Sequence, residues 1–199
     1  MRFIVLDFET VNPSRSSGFS FCVTEFVNGL QCHSVTKRFK PTDPWISIWA
    51  MKSFGISKQE VDRLPPFDVS WQEVRNFFES DAFVVCHNAA FDISVLRSCL
   101  SKCKCSAGGF SYVCSLALAK LTWPNLKRYG LANLCEHLQI ELTHHVPESD
   151  CIATGEVFTN GLSKLGMEHS LPNEIILERL TLLNPTLVKR FVIGDTDES

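Results

Sequence analysis

Four acidic residues in three separate segments could form one metal site. Asp7 and Glu9 stand two residues apart at the end of an apolar run, and the other two acids are Asp92 and Asp150. In an extended strand alternate side chains point to the same side, so Asp7 and Glu9 should lie next to each other. Carboxylates that converge repel one another unless a cation lies between them, and hard oxygen ligands prefer Mg²⁺ or Mn²⁺ to a thiophilic metal. The four acids therefore predict a site for divalent metal ions.

Such a set of acids suits the hydrolysis of a phosphodiester bond. Two ions held by them can activate a water molecule and stabilise the leaving oxygen, which is the two-metal mechanism. The proton of that water needs an acceptor. His145 lies five residues before Asp150, and an imidazole side chain ordinarily changes its protonation near neutral pH. His144 is the alternative acceptor. The pair Asp7 and Glu9 alone is weak evidence, because two acids just beyond a strand are more often solvated loop residues.

The segments that would position these acids alternate between strands and helices. Residues 3–6 form an apolar run typical of a strand buried on both faces. Residues 19–27 and 30–39 predict a hairpin with Asn28-Gly29 as its tight turn. Residues 82–86 predict a second buried strand, which a helix follows. This order predicts an α/β fold with a mixed sheet flanked by helices.

The spacing of apolar residues predicts the remaining elements. Ser70 should cap a helix at 70–79. The tryptophans Trp45, Trp49 and Trp71 are expected in the core rather than on a surface that stacks bases. Apolar and amphipathic spacing further predicts a strand at 110–114 and helices at 58–63, 115–121, 131–138 and 147–165.

The C-terminal segment is expected to form an extension of the main domain. Its apolar spacing predicts two short helices at 173–183 and 185–191. Their apolar faces should not remain in water, so they should dock on the domain as a helical hairpin or contact another subunit. The chain is accordingly divided into a domain at 1–166 and an extension at 167–199 that packs on the domain or on a partner subunit.

Composition limits the classes of protein to be considered. A chain of 199 residues with 45% hydrophobic and 21% charged residues is typical of one globular domain, and its sequence predicts no membrane span and a cytoplasmic location. The net charge of −3 argues against a broad surface for polyanions, so a nucleic acid would be gripped locally, at an end. Nine cysteines without a secretory signal favour reduced thiols. A zinc site is disfavoured because a C-x-x-C pair is missing from the cluster Cys99, Cys103, Cys105 and Cys114.

Three segments resemble, in this order, the exonuclease motifs of the DnaQ-like DEDDh family: Asp7-Phe8-Glu9-Thr10, His87-Asn-Ala-Ala-Phe-Asp92 and His145-x₄-Asp150. The resemblance covers about residues 2–165 and is greatest to the branch of polymerase III epsilon-like 3′-to-5′ exonucleases. It implies an RNase H-like fold with a mixed five-stranded sheet flanked by helices. The chain departs from the family pattern in the third motif, where Val146-Pro-Glu-Ser149 replaces small or aliphatic residues.

The resemblance also implies a role for each matching residue. Asp7, Glu9 and Asp150 would ligate metal, and Asp92 would act on a second metal directly or through water. The cofactor would be two ions of Mg²⁺ or Mn²⁺. His145 would be the general base. The residues that would line the pocket for the terminal nucleotide are Phe8, Thr10, Asn88 and Phe91.

The resemblance implies a metal-dependent 3′-to-5′ exonuclease that acts on single-stranded or frayed DNA ends, in proofreading or repair. Its partners would be nucleic acid 3′ ends and, as alternatives, a polymerase or a second copy of the chain. An exoribonuclease of the same fold is an open alternative, because a site built on phosphate and metal accepts either sugar. A non-catalytic interaction subunit is the second alternative. Retention of four mutually repelling acids weighs against it.

Overall fold

The computed structural model of the chain shows a mixed sheet with helices on both faces, and it describes residues 1–43, 45–143 and 146–192. The strands are β1 (Arg2–Thr10), β2 (Gly18–Val27), β3 (Leu30–Arg38), β4 (Phe83–Cys86), β5 (Phe110–Cys114) and β6 (Val188–Phe191). The helices are α1 (Ile48–Phe54), α2 (Lys58–Asp62), α3 (Phe67–Gln72), α4 (Arg75–Phe78), α5 (Ala89–Cys103), α6 (Ser115–Thr122), α7 (Leu131–Leu138), α8 (Pro147–Lys164) and α9 (Asn173–Leu183).

Strand β1 lies in the middle of the sheet, whose order is β3-β2-β1-β4-β5-β6. It pairs antiparallel with β2 and parallel with β4, while β5 is parallel to β4. The apolar run at 3–6 is at most 1% exposed, as expected for a strand covered on both faces. The predicted α/β class, the mixed sheet and the central buried strand are therefore confirmed.

The hairpin of β2 and β3 turns at Asn28 and Gly29, as predicted. Their φ angles are 51° and 83°. Both residues therefore occupy the left-handed region, which Asn tolerates and Gly adopts without a steric cost. The hairpin extends the sheet on one side of β1, so the end of β1 that carries Asp7 and Glu9 lies within the sheet and not at its edge.

The C-terminal end of the described chain corrects the prediction of a helix at 185–191. Residues Val188–Phe191 form strand β6, which pairs antiparallel with β5 and makes the sheet six-stranded rather than five-stranded. The edge of β5 offers backbone N–H and C=O groups, and a helix at 185–191 would leave these groups without a partner in the sheet. The ring of Phe191 also stacks on Phe110 at 4.6 Å between centroids. Strand pairing therefore prevails over the helical spacing of the apolar residues.

The segment at 67–79 is also built differently from the prediction. It contains two short helices, α3 and α4, and the first is preceded by Pro66 rather than capped by Ser70. Ser70 is buried, and its hydroxyl donates to the carbonyl oxygen of Arg38 at 3.3 Å. Its role is therefore to tie α3 to β3.

Of the three tryptophans that were predicted to lie in the core, one is buried and two are exposed. Trp71 is 1% exposed, as expected, and packs against Phe67 and Phe78. Trp45 and Trp49 are 59% and 54% exposed, so the prediction that they lie in the core is wrong. The connection between β3 and α1 runs over the surface here, where the carbonyl oxygen of Trp45 accepts a hydrogen bond from the Asn12 amide.

The C-terminal segment packs on the sheet. Ile176 and Leu180 of α9 are fully buried in the cluster that contains Phe3 of β1 and Phe158 of α8. The division of the chain at residue 166 stays a prediction, and residues 193–199 lie outside the described part. None of the helices in the described residues has the length and hydrophobicity that a membrane-spanning helix requires.

Two helix layers position the acids on opposite faces of the sheet. Helices α3, α4 and α5 cover one face, and α6, α8 and α9 cover the other. Helix α8 approaches the sheet closely because Gly155 lacks a side chain: a Cβ there would lie 2.2 Å from the ring of Phe26. This close approach brings the first turn of α8, with Asp150, to the end of β1.

Candidate active site

Three carboxylates meet at the end of the central strand. Oxygen atoms of Asp7, Glu9 and Asp150 all lie within 4.8 Å of one another. The alternation of β1 places Asp7 and Glu9 on the same face, which is the face that α8 covers. Pro147 stands in the first turn of α8, where a missing N–H costs nothing, and Asp150 follows in that turn. The group therefore joins one strand and one helix start.

Asp92 reaches the same strand from the other helix layer. It lies in the first turn of α5, is 2% exposed, and accepts a hydrogen bond from the backbone N–H of Phe8 at 3.0 Å. Asn88 precedes α5 in the left-handed region, with φ of 66°, and so turns the chain sharply from β4 into the helix. Asp92 is thus fixed beside Asp7 and Glu9, but it is not a member of the group within 4.8 Å.

Burial and mutual repulsion raise the pKa values of the acids. Burial, then the charges of Asp92, Glu9 and Asp150, place the pKa of Asp7 well above its ordinary value. The pKa of Glu9 is raised to about 7 by burial and by the charge of Asp150. Burial raises the pKa of Asp92 to about 8, against the opposing effect of the Phe8 N–H. In the absence of a cation Glu9 and Asp92 therefore retain protons near neutral pH.

The residues present fit a divalent metal ion. The donors are carboxylate oxygens, which hard ions such as Mg²⁺ and Mn²⁺ prefer, and a cation would offset the repulsion that raises the pKa values. Within the described residues no cysteine or histidine belongs to a group that could hold a metal. The cysteines are free thiols, including the cluster Cys99, Cys103, Cys105 and Cys114, in agreement with the expectation of reduced thiols.

Comparison with known proteins identifies the family of the chain. The exonuclease family (RNase_T) matches residues 4–158. The chain belongs to this exonuclease family. The 3′-5′ exonuclease DinG of Bacillus subtilis (strain 168) is 30% identical over 171 residues, which are 82% of this chain and 18% of that protein. The DNA polymerase III PolC-type of Streptococcus mutans is 25% identical over 174 residues, which are 86% of this chain and 12% of that protein. The chain thus spans less than a fifth of the length of these relatives.

Solved structures of exonucleases share the fold. Exonuclease X in complex with 5′ overhanging duplex DNA has a TM-score of 0.66 at 21% identity, over 87% of this chain and 98% of that chain. The nuclease domain of 3′hExo, a DEDDh family member bound to rAMP, has a TM-score of 0.66 at 13% identity, over 84% of this chain and 94% of that one. The expected RNase H-like fold of this exonuclease-family chain is therefore confirmed, and DEDDh enzymes use divalent metal ions.

The four residues predicted to line the nucleotide pocket of this exonuclease-family chain differ in their burial. Asn88 is exposed, Thr10 and Phe91 are partly buried, and Phe8 is 3% exposed. The Phe8 side chain packs on Phe21 in the core, so contact with a nucleotide would be left to its backbone, whose N–H already binds Asp92. The roles assigned to these residues stay predictions.

The histidines of the second and third motifs differ in what the structure describes. The predicted base His145 and the alternative His144 lie outside the described residues. His87 is partly buried, and its ring nitrogens lie 2.9 Å from the Ser115 hydroxyl and 3.0 Å from the carbonyl oxygen of Tyr129. Burial lowers the pKa of His87 to about 4, so a neutral imidazole joins β4 to α6.

Arg15 is a residue that the sequence reasoning missed. Its guanidinium carbon lies 4.3 Å from the centroid of the Phe91 ring, and its charge lowers the pKa of Asp92. In the sequence it stands among turn-forming residues, Pro13-Ser14 before it and Ser16-Ser17 after it. No spacing rule connects such a loop cation to a helix that begins far along the chain.

Proposed function

We propose that the chain is a metal-dependent 3′-to-5′ exonuclease that releases nucleoside 5′-monophosphates from single-stranded or frayed DNA ends. The observation that supports this most strongly is the convergence of Asp7, Glu9 and Asp150 within 4.8 Å in a member of the exonuclease family. Acids with pKa values raised by burial and by one another are poor structural partners, but they are suitable ligands for divalent cations.

Each acid has a distinct part in this proposal. Asp7, Glu9 and Asp150 would hold one ion, and Asp92 would act on a second, directly or through water. When bound, the ions supply activation of the attacking water and stabilisation of charge on the phosphate oxygens. The Phe8 N–H fixes the Asp92 carboxylate on the strand side. His145 would accept the proton of the attacking water.

The proposal of DNA as substrate rests on the relatives. They include a protein named as a 3′-5′ exonuclease and DNA polymerases of the PolC type, whose matched segment is a small part of a polymerase. Association with a polymerase, in proofreading or repair, is proposed on the same basis. RNA is the competing substrate, because a site made of metal and phosphate contacts accepts either sugar.

The decisive experiment follows degradation of matched single-stranded DNA and RNA oligonucleotides. Each is labelled at the 5′ end to follow shortening, and at the 3′ end to identify the first product. We expect nucleoside 5′-monophosphate to leave the 3′ end of DNA first in Mg²⁺ or Mn²⁺, and no release in EDTA. Faster degradation of RNA than of DNA would show that RNA, not DNA, is the preferred substrate. Metal-independent release, or no release at all, would contradict the proposal.

The general base can be tested with two neighbouring variants. His145→Ala should reduce the rate at neutral pH by about a hundredfold or more, as expected when a general base is removed. His144→Ala is the matched control and should lose little. The measurement is the rate against pH at saturating Mg²⁺ for both variants. Loss of activity in His144→Ala rather than in His145→Ala would show that the third motif has been misread.

A further inference from the structure

Arg15 is held in a tightly bonded loop beside the acids. It begins a single 3₁₀ turn (Arg15–Ser17) within the loop that connects β1 to β2. The Ser17 hydroxyl lies 2.8 Å from the Asn12 carbonyl oxygen and 2.7 Å from that of Ser14, and the Val11 N–H donates to the Ser17 carbonyl oxygen at 3.0 Å. The backbone of this loop is therefore fixed relative to the end of β1.

The guanidinium itself lies over an aromatic ring at the start of α5. The distance of 4.3 Å from its carbon to the Phe91 centroid is that of a cation–π contact. Arg15 remains exposed to solvent, and its charge lowers the pKa of Asp92, which follows Phe91 in the chain. A positive group is thus presented at the rim of the acid cluster without forming an ion pair with it in any described contact.

The negative charge of the acids would repel the phosphates of a nucleic acid strand, and a nearby cation would reduce this repulsion. A nucleic acid strand is a polyanion, and it must bring its end to a site with four carboxylates in a chain of net charge −3. Metal ions would neutralise the charge at the bond to be broken, but the adjacent phosphates would still meet a negative surface. A guanidinium offers a planar pair of N–H donors that matches two phosphate oxygens.

We infer that Arg15 binds a phosphate of the substrate strand adjacent to the one that is hydrolysed, and that the Phe91 ring holds its guanidinium for this contact. The inference rests on the proposed function for the identity of the ligand. It also gives Phe91 a part other than lining the nucleotide pocket, because the guanidinium covers one face of its ring. Phe91 is then a positioning residue.

The test combines kinetics with binding. For a single-stranded DNA oligonucleotide, Arg15→Ala should raise KM by about tenfold to a hundredfold and change kcat by less than about threefold, as loss of a charge-assisted contact predicts. Arg15→Lys keeps the charge but loses the fork, so its KM should lie between. The slope of log Kd against log salt should fall by about 0.7 in Arg15→Ala, as expected for one phosphate contact on a single strand.

The control and a second readout keep the inference separate from the proposed function. Arg179→Ala removes an exposed arginine from α9, whose Asn173 contacts Arg2 at the opposite end of β1, and it should behave like wild type. Binding is also measured by fluorescence anisotropy with a phosphorothioate oligonucleotide in Mg²⁺, which resists hydrolysis. If Arg15→Ala weakens binding while the wild-type protein hydrolyses no oligonucleotide, the result would support the inference about Arg15 and contradict the proposed nuclease activity. Unchanged Kd and KM in Arg15→Ala, or no binding by wild type, would overturn the inference.

Discussion

Asp7→Asn should reduce the rate of hydrolysis by about a thousandfold or more, on the scale seen when an essential charged group of a site is removed. The substitution keeps the shape of the side chain but removes a negative charge from the centre of the acid group. An amide holds a divalent ion far less well than a carboxylate. In this variant only Glu9 and Asp150 would remain as carboxylates of the group. The measurement is product release from a 3′-labelled oligonucleotide at saturating Mn²⁺.

The same variant should remain folded. Asp7 fills no cavity that asparagine would leave empty, and removing its charge relieves repulsion from the other acids. In EDTA at pH 8 its melting temperature should therefore equal or exceed that of wild type. Glu178→Gln, an exposed acid on α9, is the control and should retain full activity. Activity of Asp7→Asn above about a tenth of the wild-type rate would refute the assignment of Asp7, because losses at such groups are typically larger.

The metal-free protein should become less stable as the pH rises from about 4.5 to 8. In the folded state the pKa of Glu9 is about 7 and that of Asp92 about 8, whereas both titrate near 4 when unfolded. The folded state therefore binds more protons than the unfolded state across this range, and the free energy of unfolding decreases with rising pH. The stabilisation is present in full below pH 4 and is lost as the pH passes the folded-state values. The contribution of Glu9 alone is on the order of a few kcal/mol.

Other groups act in the opposite direction, so the experiment uses a difference. The pKa of His87 is lowered to about 4 by burial, and hydrogen bonds, that from Cys151 first, lower the pKa of Cys22 to about 6. Glu9→Gln keeps both groups, so the melting temperature of wild type minus that of Glu9→Gln in EDTA isolates the acid. This difference should fall between pH 5.5 and 8.5. Saturating Mg²⁺ should stabilise wild type more at pH 8.5 than at pH 5.5, because metal and protons compete for the carboxylates. A difference that does not change with pH would contradict the raised pKa of Glu9.

The parts of the fold that follow from local pattern were predictable. The run at 3–6 identified the central strand, and the alternation of Asp7 and Glu9 placed both carboxylates on one face. The turn Asn28-Gly29 fixed the hairpin, because few other dipeptides adopt two consecutive left-handed conformations. These features depend on interactions between near neighbours, so one sequence contains enough information to predict them.

The features that the sequence did not predict depend on distant partners. Leu187 and Phe191 stand four residues apart and fit a helix, but the open edge of β5 makes a strand there more favourable. Trp45 and Trp49 have core-forming side chains, yet the loop after β1 holds their segment at the surface. The contact between Arg15 and Phe91 joins a loop to a helix far along the chain. Such pairings become visible only when the sheet order is known.

Strand β1 also sets the order in which the acids can come together during synthesis. Its antiparallel partner β2 is the next strand in the chain, so the β1–β2 pair, with Asp7 and Glu9 on β1, can form while the ribosome is still translating the later segments. Its parallel partner β4 comes much later, and α8 with Asp150 later still. A nascent chain therefore carries two of the three grouped carboxylates without the third, and the proposed chemistry begins only after α8 has emerged and docked on the sheet.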